Sequence, residues 1–323
     1  AILAAGLGFT DINGVPGLGA EGQTLAESKA LARSVGAGWH DVNSSVDPAS
    51  INIRAYTSAI SLDNMTSLYG YPSPSGDGLP MEFSHPVLAS SVQREDIAVT
   101  LNNGDVITPL NISVTPNREY NERSTLVING NFGNRLDPSE EGAIYPVRFV
   151  IVDEMMLVTQ YGLYDAHGLT YGDGFTPLTA YQTGKGPRLC AAKLTLASAG
   201  LGGESSSPMD DLVTLYGADA EYRLRILTTG GFSPDGVRSM YPTEFQRYFR
   251  VGVAPTGIAS TDYDNLIWLE QTGVDYNISG YGKIKVLGLA DLGGLQAVYD
   301  DSYLDDHDNQ IDIVLNGDKT AIE

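Results

Sequence analysis

Two short runs of β-branched residues flank an Asn-Gly pair, and this arrangement constrains the fold more than any other feature of the sequence. Ile97–Leu101 precedes the pair, Asn103-Gly104, and residues 106–108 follow it. The pair predicts a β-hairpin, because a type I′ turn needs positive φ at both central residues. Residues 125–128 and 147–152 predict further strands, and we expect the rest of the fold to be built around this sheet.

The second half of the chain repeats the pattern of strand, turn and strand. Residues 222–227 alternate apolar and basic side chains, which predicts a strand with one face in water. Residues 310–315 place three apolar side chains on one face. Alternating β-α units, which a parallel sheet would require, are absent. We therefore predict a mainly β protein, an antiparallel β-sandwich or two sandwich-like units in tandem. Other predicted strands cover residues 249–253, 265–269 and 283–287.

One short N-terminal helix is the only convincing helix in the sequence. Thr24 and Glu27 form a capping-box pattern, which predicts a helix over residues 25–35 that ends at Gly36. We predict three parts in the chain, separated by a Pro/Ser/Gly-rich run at 71–78 and a Ser-rich run at 204–208. They are an N-terminal extension (1–80), a β-sandwich (81–203) and a second β-rich unit or a continuation of the same sandwich (204–323).

The charge of the chain limits its partners. Forty acidic and 19 basic side chains give a net charge of −21. Such a field repels phosphate backbones and anionic membranes and favours cations, calcium first. The alternative is that the charge only keeps the protein soluble. No run of 18 apolar residues is present, so we predict no membrane span.

Two features bear on localisation, whereas the single cysteine, Cys190, excludes a disulfide framework but does not identify a compartment. The sequence begins at Ala1 without a Met, which is consistent with a processed N-terminus. N-x-Ser/Thr acceptors are more frequent than composition alone predicts. We therefore expect a secreted protein, extracellular or periplasmic. The acceptors are Asn43, Asn64, Asn111 and Asn277.

An acidic segment near the C-terminus is the strongest candidate for a cation site. Calcium takes six to eight oxygen ligands, several of them carboxylates, from a flexible loop. The segment does not match an EF-hand, because Ile311 and Gly317 stand where that loop needs Gly and Glu. A solvated acidic loop is the alternative. The candidate calcium ligands are Asp305, Asp306, Asp308, Gln310 and Asp312.

Dispersed histidines are a second candidate metal site. His40, His85 and His167 do not have zinc-motif spacing, but His40 and His167 each have an aspartate nearby in sequence. A copper or zinc site would require the three to converge in the fold. Side chains of this kind are more often structural.

Two further motifs suggest ligands. Gly17, Gly19 and Gly22 match the G-x-G-x-x-G pattern, but no strand precedes them, so we reject dinucleotide binding. Several tyrosines lie close together in sequence and could form a platform for a carbohydrate or protein partner, or pack across strands. These tyrosines are Tyr161, Tyr164, Tyr171 and Tyr181.

These observations favour a secreted, calcium-stabilised β-sandwich protein with a binding or extracellular structural role. Two alternatives stay open: a metal-dependent enzyme or copper/zinc-binding protein that uses the histidines, and a subunit of an extracellular fibre. In the fibre, the apolar segment 1–9 would add a strand to its neighbour. No nucleophile or catalytic carboxylate pair stands out, so the sequence favours a role without catalysis.

Overall fold

A computed structural model describes residues 1–41, 57–70, 72–114, 123–183, 187–197, 212–296, 301–305 and 309–322. The chain is mainly β, with several antiparallel sheets and few helices, which confirms the predicted fold class. The strands are β1 (Ile2–Ala5), β2 (Phe9–Val15), β3 (Ile60–Ser61), β4 (Gly76–Phe83), β5 (Ile97–Leu101), β6 (Val106–Ile107), β7 (Asn111–Ser113), β8 (Thr125–Gly130), β9 (Pro146–Ile151), β10 (Met156–Thr159), β11 (Gly162–Asp165), β12 (Thr170–Tyr171), β13 (Leu189–Leu196), β14 (Tyr222–Thr228), β15 (Val251–Val253), β16 (Ile267–Leu269), β17 (Tyr276–Ile278), β18 (Gly282–Ala290), β19 (Leu295–Gln296), β20 (Ser302–Tyr303) and β21 (Gln310–Gly317). The helices are α1 (Leu25–Ser34), α2 (Leu62–Tyr69), α3 (Leu212–Tyr216), α4 (Phe245–Tyr248) and α5 (Lys319–Ile322).

Strands β1–β12 form the N-terminal unit, which contains two main sheets and the separate two-stranded sheet β10-β11. The larger sheet has the order β3-β2-β4-β8-β7, with β1 also paired to β4, and the smaller has the order β12-β9-β5-β6. Side chains from both sheets belong to one hydrophobic cluster, including Met81 of β4, Ile128 of β8, Val99 of β5 and Phe149 of β9. This shared core is the packing expected of a β-sandwich.

The predicted hairpin is present, but its turn differs from the type I′ turn that we predicted. β5 pairs with β6 through Thr100 and Val106, and the N–H of Gly104 donates to the carbonyl of Leu101. Gly104 has φ of +91°, whereas Asn103 does not have positive φ. A type I turn followed by a left-handed glycine fits a three-residue loop, so only the glycine needs the unusual conformation.

The predicted central sheet is divided between the two sheets of this unit. β8 pairs with β4 and β7 in the larger sheet, whereas β5 and β9 pair in the smaller one. Residues 1–80 supply β1, β2, β3 and most of β4 to the larger sheet. The apolar N-terminal segment is therefore already paired within its own chain, through β1 and β4.

Strands β13–β21 form the C-terminal unit, which is built on a five-stranded antiparallel sheet. Its order is β13-β14-β21-β18-β17. Ile311, Ile313 and Leu315 of β21 lie together in the core on one face, as their alternation predicted. The predicted joint at 204–208 lies outside the described residues.

The prediction that residues 222–227 have one face in water is wrong. Arg225 is only 4% exposed, because its guanidinium is paired with two buried carboxylates, Asp291 and Asp312. This face of β14 is turned towards the N-terminal unit, where β1 contacts both β13 and β14. Opposite charge on neighbouring strands allows the basic side chains to be buried.

The helix after the capping box is confirmed as α1, and both hydrogen bonds of the box between Thr24 and Glu27 are formed. α2 was missed by the sequence analysis. Its N-cap is Ser61, whose hydroxyl accepts from the N–H of Asn64, and its C-cap is Gly70 with φ of +79°. None of the helices in the described ranges has the length and apolar character needed to cross a membrane.

Candidate functional site at the junction of the two units

A cleft of about 310 Å³ lies where the two units meet, and we call it the junction cleft. The N-terminal unit contributes Phe9, the glycines after α1 and Arg135, and the C-terminal unit contributes Asp235 and Asp305. Ligand sites occur preferentially at such junctions, where a few polar groups converge on a largely apolar wall. The junction cleft is therefore the candidate site.

A larger groove of about 410 Å³ lies on the apolar face of the C-terminal sheet. It is lined mainly by aliphatic side chains such as Leu194, Leu224 and Ile284, and it has no charged lining residue in the described part of the chain. It therefore offers little to orient a polar ligand.

Arg135 is the cationic group of the junction cleft. Its Nε donates to the carbonyl of Thr10 at 3.0 Å, and its guanidinium carbon lies 4.8 Å from the ring centroid of Tyr181. Tyr181 is held in turn by a hydrogen bond from its hydroxyl to the carbonyl of Gly8. The Arg135 side chain also packs against Gly36. A Cβ added at Gly36 would lie only 2.6 Å from Cδ of Arg135. These contacts fix the plane of the guanidinium.

Asp235 forms the opposite wall and is also held in place. Its Oδ1 accepts from the backbone N–H groups of Val237 (3.0 Å) and Arg238 (2.9 Å), and its Oδ2 lies 2.6 Å from Nδ1 of His40. The His40 contact joins the segment after α1 to the C-terminal unit. It brings one of the predicted histidines beside the cleft.

Three of the five predicted calcium ligands, Asp305, Gln310 and Asp312, lie in the described part of the chain. Asp305 is buried and lines the junction cleft. Asp312 is buried in β21, where its two oxygens accept from Nε and Nη2 of Arg225 at 2.8 and 2.9 Å. Gln310 is buried in the same strand. Asp306 and Asp308 lie outside the described residues.

Asn309 is a buried residue beside these candidates that we had not selected. It is 5% exposed, and neither its Oδ1 nor its Nδ2 has a hydrogen-bond partner among the described residues. Its Oδ1 lies near Gly8, 3.7 Å from the position that a Cβ on that glycine would occupy. Leaving a buried amide unsatisfied costs about 1–3 kcal/mol, so this side chain is suited to a ligand.

The three predicted histidines have different neighbours. His40 contacts Asp235, His85 lies 3.0 Å from the hydroxyl of Ser84, and the N–H of His167 donates to Asp165. Among the residues that the structure describes, no three His, Cys, Asp or Glu side chains are grouped so that they could hold a metal ion. The copper or zinc site stays a prediction.

The predicted tyrosines are distributed over the N-terminal unit and its junction. Tyr161 and Tyr164 are exposed on the β10–β11 hairpin, and Tyr171 packs against the core. Only Tyr181 reaches the junction cleft.

A buried carboxylate, Asp77, supports the loop that carries Arg135. It is 1% exposed and accepts hydrogen bonds from the backbone N–H groups of Asp11, Phe132 and Gly133. Burial raises the pKa of Asp77 to about 7, and the charge of Asp11 adds to the rise, whereas the three N–H donors oppose it. The carboxylate ties β2 and β4 to the loop that carries Arg135.

No protein family matches this chain, and neither curated proteins nor solved structures gave a match. The functional argument therefore depends on the residues of the chain itself.

Sequence reasoning missed Arg135, Asp235 and Asn309. Arg135 follows a Gly/Asn-rich segment with no periodicity, and Asp235 lies in a turn between glycines. Only an indirect signal for Arg135 is present in the sequence: basic residues are scarce in this chain, 19 against 40 acidic residues.

Proposed function

We propose that this chain is a secreted, calcium-stabilised β-sandwich protein with a binding role, and that its ligand occupies the junction cleft. The cleft supports a binding role because it combines a fixed guanidinium, fixed carboxylates and a wall of glycine backbone. The four glycosylation acceptors support secretion. Of these, Asn64 and Asn277 are exposed.

The calcium proposal is carried by the buried amide of Asn309. Its oxygen has no hydrogen-bond partner in the described part of the chain and lies near Gly8 of the cleft wall. Asn309 is also close in sequence to the acidic residues that we predicted as ligands. Calcium binds amide and carboxylate oxygens, so an ion here would satisfy that oxygen and balance nearby negative charge. Asp305 lines the same cleft and is the carboxylate that we propose as a further ligand. Asp312 is instead committed to Arg225.

Thermal unfolding of chelator-treated protein, with calcium then added back, tests the proposal. A ligand at 100 times its Kd stabilises the folded state by about 2.7 kcal/mol, so we expect Tm to rise by roughly 5 °C. Asn309→Leu should abolish the response without lowering the stability of the calcium-free protein, because it replaces an unsatisfied buried amide with an apolar side chain of similar shape.

Asp264→Asn is the matched control, since Asp264 is an exposed acid outside the cleft and its loss should leave the response intact. A wild-type Tm that changes neither on chelation nor on addition of calcium would contradict the proposal. Elemental analysis of the purified protein separates calcium from the copper or zinc alternative. We expect calcium without either transition metal.

A further inference from the structure

The guanidinium of Arg135 has no carboxylate partner, although the chain is strongly acidic. Among the described residues, no carboxylate oxygen lies within 4.0 Å of it, and neither Nη atom makes a hydrogen bond. Arg225 and Arg238 are both paired with carboxylates, and Nη2 of Arg188 donates to the carbonyl of Pro177. The unpaired Nη atoms of Arg135 are therefore available to a ligand.

The neighbours of Arg135 do not neutralise it. The charge of Arg135 opposes the rise in the pKa of Asp11 that burial causes, yet the two side chains do not form an ion pair. Tyr181 occupies one face of the guanidinium plane. The edge that carries the two Nη groups is the part suited to recognition, because a planar guanidinium matches the two oxygens of a carboxylate.

The rest of the junction cleft is suited to a ligand that carries hydrogen-bond donors. Asp235, Asp305, Ser58 and Ser233 line it, and carboxylates only accept hydrogen bonds when ionised. A volume of about 310 Å³ is at the small end of ligand pockets and suits a single sugar ring. The net charge of −21 disfavours a polyanion.

We infer that the junction cleft binds a small hydroxylated carboxylate, a uronic acid. Its carboxylate accepts hydrogen bonds from Nη1 and Nη2 of Arg135, and its hydroxyls donate to the acceptors on the side of Asp235 and Asp305. This inference rests on the proposed binding function and adds the chemical class of the ligand.

Calorimetric titration with D-glucuronate and D-glucose tests the inference, because the two sugars differ only at the carboxylate. Charge-assisted hydrogen bonds to the guanidinium should make glucuronate bind at least about tenfold more tightly than glucose. Arg135→Gln should remove that preference, and Arg135→Lys should retain part of it, because Lys keeps the charge but not the planar pair of donors.

Arg148→Gln is the control, since Arg148 is exposed on β9 and makes no ion pair with a described residue. Each variant is first checked for a wild-type circular dichroism spectrum. If Arg135→Gln does not fold, the wild-type preference between the two sugars still decides the matter. Equal binding of both sugars would overturn carboxylate recognition and leave the binding role standing. If neither sugar binds at about 10 mM, the inference is overturned. The calcium proposal is tested separately, by the change in Tm on chelation and on addition of calcium.

Discussion

Arg225 and Asp312 face each other on neighbouring strands and form a bidentate ion pair in the interior of the protein. Nε and Nη2 of Arg225 donate to the two carboxylate oxygens of Asp312, and both residues are at most 4% exposed. Nη2 also donates to Asp291 at 3.0 Å. One guanidinium thus joins β14, β21 and the end of β18 on the face of the sheet that meets the N-terminal unit.

Arg225→Met should be strongly destabilising, because it removes a close counter-ion from two buried carboxylates; Asp312 then keeps Arg223, at 3.6 Å. Removing one partner of such a pair costs about 3–5 kcal/mol. Arg225→Met combined with Asp312→Leu should lower the free energy of unfolding less than Arg225→Met alone. The double change also removes one of the two buried carboxylates that pair with Arg225. Urea unfolding measures both effects.

Lys29→Met provides the comparison on the surface. Nζ of Lys29 lies 2.6 Å from a carboxylate oxygen of Asp41, but the Asp41 side chain is 74% exposed. Loss of this ion pair should therefore lower the free energy of unfolding by about 1 kcal/mol or less. A cost for Arg225→Met as small as that of Lys29→Met would contradict this account of the junction.

Asp77 should make stability depend on pH. Its pKa in the folded protein is about 7, above its ordinary value of 3.8, so between these values the folded state binds more protons than the unfolded state. The free energy of unfolding should therefore fall as pH rises from about 4 to 7, by an amount on the order of 4 kcal/mol from this group.

Asp77→Asn should lack that part of the pH dependence, because its amide does not titrate. Urea unfolding of both proteins at several pH values between 4 and 8 measures the difference in slope. Parallel stability profiles would show that Asp77 is ionised in the folded state throughout this range.

Gly6 allows the two units to approach each other closely. A Cβ at this position would lie 2.4 Å from the carbonyl oxygen of Thr229, so Gly6→Ala must move backbone at the junction. We expect a loss of about 1–3 kcal/mol in unfolding experiments. Gly217→Asn is the control, because space is open there and its φ of +55° lies in the left-handed region that Asn tolerates. Equal, small effects of the two changes would contradict the close packing at Gly6.

The strands could be predicted because side-chain alternation follows from which face is buried. Ile311, Ile313 and Leu315 are an example. The burial of Arg225 could not be predicted, since it depends on carboxylates that are distant in sequence. α2 was missed because Asp63, Asn64 and Thr66 have low helix propensity, and its cap at Ser61 and tertiary packing compensate.

The candidate site was less predictable than the strands. Asp305 and His40 were selected from their chemical type. In the fold, Asp305 lines the junction cleft, and so does Asp235, which His40 contacts. Arg135 and Asn309 become candidate binding residues only because of their surroundings in the folded protein. An arginine without a carboxylate and an amide without a partner cannot be recognised from sequence spacing.

A crystal structure of the protein grown with calcium and D-glucuronate is the most direct test of the junction cleft as a binding site. We expect an ion bound to the amide oxygen of Asn309 and to Asp305, with the sugar carboxylate on the Nη atoms of Arg135. An empty cleft in crystals that hold both ligands elsewhere, or hold neither, would contradict the account.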